Sequence, residues 1–244
     1  MNLYQVNRSE YDILQYIIQR VVSEIKSAPD ETSYFYIFSP SHLDTTYLNY
    51  CFNKLLSEKH RVHSSGNLTA QNLLEKISSE PVYEYTQGNS RIKATTPTEY
   101  YLDLLHQYGH FIGLNPFFRV IDDIRDWHRI TKSSYSEQAL WFKDIAEILS
   151  IMQDSQCVWH HHIQRVVEHL LSNFPQVAQD MSDCMGSIFM IDMDKYHGED
   201  RDVFAHIFLK GDTQRVNIFM DKSDYKFRFI NQYLDNFNVT EEKL

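Results

Sequence analysis

Glycine is scarce in this chain, and that scarcity removes more possibilities than any motif adds. Only seven of the 244 residues are glycine, against an average usage of about 7%. They are Gly66, Gly88, Gly109, Gly113, Gly186, Gly198 and Gly211, and no two are adjacent. Phosphate-cradling loops need closely spaced glycines so that backbone N–H groups can reach the anion. No Gly-x-Gly-x-x-Gly run, Walker loop or Gly-x-Ser-x-Gly elbow is present. The nucleotide-binding and serine-hydrolase vocabularies therefore have no foothold here.

Charge narrows the partners further. Acids outnumber bases 33 to 23, giving a net charge of −10. The 23 Lys and Arg residues are dispersed, and phosphate backbones bind through clustered cations. Nucleic acid is thus not the expected partner, nor is an anionic membrane surface. No apolar run reaches the length of a membrane span, so no membrane insertion is expected. The three cysteines, Cys51, Cys157 and Cys184, are widely spaced and odd in number. That pattern predicts free thiols and a cytoplasmic location.

Periodicity gives an α/β beginning. Ser9–Ser27 reads as a helix, with Ser9 and Asp12 approximating a capping box. Tyr34–Phe38 is a continuous apolar run, expected to be a strand buried on both faces. Ser41 is placed to cap a second helix carrying Leu43, Tyr47, Leu48, Cys51 and Leu55. A short helix is expected over Thr69–Ser78. Strand-like runs Val82–Gln87 and Ser90–Thr95 flank Gly88-Asn89, a tight-hairpin signal.

Thr96-Pro97-Thr98-Glu99 combines an N-cap threonine, a proline at the first helical position and a capping-box glutamate. From there to about Asp183 the chain reads helical. One helix is expected to start at Asn115-Pro116 and carry Phe117, Val120, Ile121, Ile124 and Trp127. Another opens at the Ser134/Glu137 capping box and runs through Leu140, Trp141, Ile145, Ile148 and Leu149. A further helix spans Ser155–Ser172, and a short one follows Pro175.

After Gly186 the period shifts toward 2. Ser187–Met193, Val203–Lys210, Thr213–Met220 and Tyr225–Ile230 read as strands, with turns at His197-Gly198 and Gly211-Asp212 and a last short helix over Asn231–Asn236. The fold class expected is therefore α+β. A mixed or antiparallel sheet would combine N-terminal strands with a C-terminal β-meander, and a central multi-helix segment would pack on it. The corresponding divisions are 1–96, 97–185 and 186–244, the first and last joining in one domain.

Three constellations could carry chemistry. On the helix opening at Pro97, with about 100° per residue, Glu99, Asp103, His106 and His110 fall within about 60° of one another. Two carboxylates and two imidazoles on one stripe suit Fe, Mn or Zn. Glu99 and His106 also resemble the Glu-x6-His segment of helical di-iron oxygenases. Second, His160-His161-His162 stand with Glu168-His169: His162 and His169, seven apart, share a face and could join the first stripe in a metal site, whereas three consecutive histidines splay around a helix and cannot converge on one ion. Third, Asp122-Asp123-Ile124-Arg125-Asp126 resembles the Asp-Asp-x-x-Asp segment of prenyl-diphosphate and terpene synthases, where it lies on a helix and holds Mg2+. No second metal-binding segment accompanies it. Ser39-Pro40-Ser41-His42 follows a buried strand, a place where active-site loops sit, but no aspartate can be assigned to it from sequence.

The reading that follows is a non-catalytic protein-interaction factor: an adaptor, a chaperone-like factor or an accessory subunit of a larger assembly, with a secretion-associated role as one version. Its partner is another protein and it needs no cofactor. Abundant aromatics, 16 Tyr, 15 Phe and 3 Trp, supply the anchors such a role requires. The alternative is a metal-dependent enzyme using Glu99, Asp103, His106 and His110.

Overall fold

The computed structural model describes residues 2–6, 12–27, 33–56, 85–87, 90–183, 187–192, 195–196, 200, 203–204, 216–221 and 240–243. In chain order the elements are β1 (Asn2–Val6), α1 (Ile13–Ser27), β2 (Ser33–Phe38), α2 (His42–Leu56), β3 (Tyr85–Gln87), β4 (Ser90–Thr95) and α3 (Pro97–Tyr108). A 3-10 turn, Gly109–Ile112, leads to β5 (Arg119–Ile121), α4 (Ile124–Thr131), α5 (Glu137–Trp141), α6 (Ile145–Ser155) and β6 (Cys157–Trp159). A second 3-10 turn, His160–His162, precedes α7 (Ile163–Asn173), α8 (Pro175–Asp183), β7 (Ile188–Ile191), β8 (Val216–Asp221) and β9 (Thr240–Lys243). These segments form two units. One comprises Met1–Thr96, Cys184–Tyr196 and Asp212–Leu244; the other comprises Pro97–Asp183 and His197–Gly211.

The first unit holds a seven-stranded sheet in the order β3-β4-β2-β7-β8-β1-β9. Only β3 and β4 pair antiparallel, with Gln87 opposite Ser90. Every other neighbouring pair is parallel. This overturns the expected mixed or antiparallel sheet with a C-terminal meander. The physical reason is in the composition of the late strands. Ile188-Phe189-Met190-Ile191 is buried at all four positions, and Val216 to Met220 is buried throughout. Continuous burial on both faces is the mark of a parallel strand, whereas a meander facing water on one side alternates. Parallel neighbours also need a crossover rather than a tight turn, and the chain has residues 192–215 between β7 and β8. Val203 and Phe204, expected in a strand, are helical. β1 is a strand for which the sequence reading made no provision.

The connections β1-α1-β2 and β2-α2-β4 move in the same direction across the sheet. Right-handed crossovers then place both helices on one face. There α1 and α2 pack over Tyr4, Val6, Phe35, Ile37, Ile92, Phe189 and Phe219. The helix starts are set by side chains. Asp12 Oδ1 accepts from Gln15 N at 3.1 Å at the head of α1, and Ser41 Oγ accepts from Asp44 N at 3.2 Å at the head of α2. The buried face of α2 is Thr45, Leu48, Asn49 and Phe52, while Leu43 and Leu55 of the expected stripe are exposed. Cys51 and Cys157 are free thiols.

The second unit is built on α3 and α7, which pack together. The two-stranded parallel sheet β5-β6 sets Ile121 beside Trp159. Ile121, Trp127, Leu140, Cys157 and Trp159 form its aromatic-rich core cluster. Three expectations here are corrected. The segment at Asn115-Pro116 enters β5 rather than a helix, and α4 begins only at Ile124. The helix expected from Ser134 is two helices, capped by Ser136 and Asp144. The expected Ser155–Ser172 helix begins as strand β6 and a 3-10 turn before α7 starts at Ile163. A left-handed Gln156 (φ 52°) ends α6 and makes that break.

Several expected features lie outside the described residues: Ser9, the Thr69–Ser78 helix, the Gly88-Asn89 turn, Cys184, the turns at His197-Gly198 and Gly211-Asp212, the Tyr225–Ile230 strand and the Asn231–Asn236 helix.

Candidate functional site

The strongest functional feature is an aromatic face on α5. Ser136 Oγ caps this short helix by accepting from Ala139 N at 3.2 Å. Leu140 points into the core while Trp141 and Phe142, at the helix end, face outward. Phe142 is 83% exposed and Trp141 is 42% exposed. Both line an open groove of about 820 Å³ together with Glu137, Gln138 and Arg165. A second groove, lined by Ile145, Arg165, Glu168, His169, Ser172 and Asn173, shares Arg165 with the first.

The end of α5 is held by α7 and by the 3-10 turn before it. A helix end leaves backbone carbonyls without intrahelical partners, and here side chains supply the donors. His162 Nε2 lies 3.0 Å from the Leu140 carbonyl oxygen. Arg165 donates from Nη1 to the Trp141 carbonyl at 3.0 Å and from Nη2 to the Lys143 carbonyl at 2.8 Å. The Trp141 indole rests on the His161 ring, 4.6 Å between centroids, and meets Trp159 edge-on at 6.0 Å. Lys143 sits over the Tyr135 ring at 3.6 Å and pairs with Glu147. Trp141 is thus packed on one side and open on the other. Burial pushes His162 down to about 4, and burial together with the charge of His160 pushes His161 down.

The four residues of the expected metal stripe are placed as follows. Glu99, Asp103 and His106 lie on α3, Glu99 half-buried and the other two exposed. The α-helix ends at Tyr108, so His110 sits in the 3-10 turn that follows. His106 Nδ1 is 2.9 Å from the Pro116 carbonyl, and its ring stacks on Phe118 at 4.5 Å. The His110 ring packs against Phe111 at 4.4 Å. Among the described residues, no group of three or more His, Cys, Asp or Glu is positioned to hold a metal ion.

The aspartate-rich segment does not lie on one helix. Asp123 is the N-cap of α4, and its carboxylate takes Arg125 N at 2.7 Å and Arg125 Nη2 at 2.7 Å. The Arg125 hydrogen bonds hold Asp123 down at about 2. Asp126 pairs with Arg129 at 2.9 Å, and Asp122 faces His160 Nδ1 at 3.4 Å. Asp123 and Asp126 are each turned to an arginine, and Asp122 to an imidazole.

In the first unit, the carboxyl ends of the adjacent strands β4, β2 and β7 carry the buried polar residues Thr95, Ser39 and Asp192. Ligands of parallel sheets bind at such an edge. Ser39 Oγ donates to Asp44 Oδ2 at 3.2 Å and accepts from Ser41 N at 3.2 Å. Asp192 has φ 53° and takes the Lys195 ammonium at 2.8 Å. These contacts tie the β2–α2 loop and the end of β7 in place.

No family model and no curated protein matches this sequence. No described helix is long and apolar enough to cross a membrane.

Proposed function

We propose that this chain is a protein-interaction factor, an adaptor or accessory subunit, and that it docks its partner on the Trp141–Phe142 face of the second unit. One observation carries the reading: a phenyl ring 83% exposed stands beside a half-open indole whose backbone is fixed by His162 and Arg165. Exposed rings on a rigid support lose little side-chain entropy on binding, and a few such anchors dominate interface energies. The groove beside them offers a carboxylate, an amide and a guanidinium for a polar rim. The free thiols of Cys51 and Cys157 support a reducing, cytoplasmic setting.

The test is quantitative co-purification from the native source with the wild type, Phe142→Ser and Phe117→Ser. Phe117 is 90% exposed but does not line the groove, so it controls for generic surface hydrophobicity. Phe142→Ser should cut partner recovery about tenfold or more, the loss of roughly 1.4 kcal/mol or greater typical of an anchor. Phe117→Ser should leave recovery unchanged. Equal recovery with all three proteins would remove the reading.

A further inference from the structure

The geometry of the histidine run gives it a task. His162 is fully buried at the head of α7. Its Nε2 faces the Leu140 carbonyl at 3.0 Å, so Nε2 carries the hydrogen and Nδ1 is the bare nitrogen of a neutral ring. Nδ1 is buried and has no hydrogen-bond partner. The ring stands edge-on to Trp127 at 6.3 Å and to Trp159 at 4.9 Å. The pocket therefore offers one acceptor, and an imidazolium brings two donors.

The surrounding charges point the same way. From its own turn His162 faces His161, whose ring lies 3.5 Å from that of His160. From α7 it faces Arg165. α4 and β6 present indoles, Trp127 and Trp159. α5 presents the Leu140 carbonyl, and its Glu137 acts on His161, as does Asp122. No described acid is turned to His162 itself, and acidification would crowd positive charge around Arg165.

We propose that His162 is an acid-sensitive latch on the docking face: protonation at Nδ1 drives the ring out of its pocket, breaks the bond to the Leu140 carbonyl and loosens the end of α5, which Arg165 then holds through the Trp141 and Lys143 carbonyls alone. A buried N–H without an acceptor costs the full desolvation of that group, and rotation to water relieves it. The consequence for partner release rests on the docking reading above; the latch itself is read without a partner.

The experiment uses the full chain alone, titrated from pH 7 to pH 4. Acrylamide quenching reports shielding of Trp127 and Trp159, far-UV circular dichroism reports helix content, and NMR reports the His162 ring. The wild type should lose tryptophan shielding below pH 6.5 while helix content persists. His162→Gln keeps an amide donor near the Nε2 position and does not titrate, so its shielding should stay flat over the same range. The same loss of shielding in His162→Gln would overturn the latch. So would simultaneous loss of the whole helical signal in the wild type. Should the variant fail to fold, the wild-type ring decides: an Nε2–H tautomer with a depressed midpoint supports the latch, and an ordinary imidazole midpoint overturns it. Partner capture unaffected by Phe142→Ser would remove the docking reading and leave this result standing.

Discussion

Asn49 shows how one side chain can satisfy a strand's backbone. The described pairing of β3 with β4 reaches Tyr85 opposite Ile92, and two residues further along β4 the Asn49 amide of α2 meets the Ala94 backbone: Oδ1 accepts from Ala94 N at 2.9 Å, and Nδ2 donates to Ala94 O at 2.8 Å. Asn49→Ala leaves both buried backbone groups without partners. It should destabilise the protein by roughly 2–4 kcal/mol, at about 1–3 kcal/mol per orphaned group, read as a shift in the urea midpoint. His162 makes a second prediction at this scale. Its pKa is depressed in the folded state, from 6.5 to about 4, so the unfolded chain binds the proton more readily. Stability is full above pH 6.5 and falls as pH drops toward 4, by up to about 3 kcal/mol at 1.36 kcal/mol per unit. Denaturant titrations at pH 7 and pH 4.5 should show the difference, and His162→Gln should remove most of it.

Among the elements, breaks and caps matter more than propensity. Gly113 ends the turn after α3 with φ 80°, and an added Cβ would sit 2.8 Å from Gln153 Cγ. Gly113→Ala should therefore cost about 1–3 kcal/mol from backbone strain alone, measured by thermal melting. Asp144, whose Oδ1 accepts from Ala146 N at 2.8 Å at the head of α6, should cost about 1 kcal/mol on replacement by alanine. The helices α1, α2 and α3 are plain in the sequence, α1 by its apolar spacing and α3 by the Thr96-Pro97 start signal, although α2 buries Thr45, Asn49 and Phe52 rather than Leu43 and Leu55 of the expected stripe. It hid β5 and β6. Each has only three residues, too few to express a period of 2, and each lies against residues that read as helix. Asp144 caps a second helix where the Ser134 helix was expected to continue, and the histidine run forms a 3-10 turn.

For the whole molecule, the parallel sheet was legible in part. The rule that a continuous apolar run marks a strand buried on both faces was applied to Tyr34–Phe38. It extends to Ile188–Ile191, while Val216–Met220 is buried throughout although Asn217 interrupts its apolar run; on sequence alone both read as parts of a meander. Strand direction is a long-range property, fixed by which strands become neighbours, and β1 pairing between β8 and β9 leaves no local trace. The candidate site was hidden for a related reason. Trp141 reads as core on the helical spacing it shares with Leu140 and Ile145, whereas the structure leaves it 42% exposed beside Phe142 at the end of α5. Docking on this face is tested by a photo-crosslinking residue at position 142, with the same residue at position 117 as reference. A discrete protein adduct is expected from position 142, competed by the wild type and not by Phe142→Ser, and none from position 117. No adduct at 142, or the same adducts from both positions, would rule docking there out.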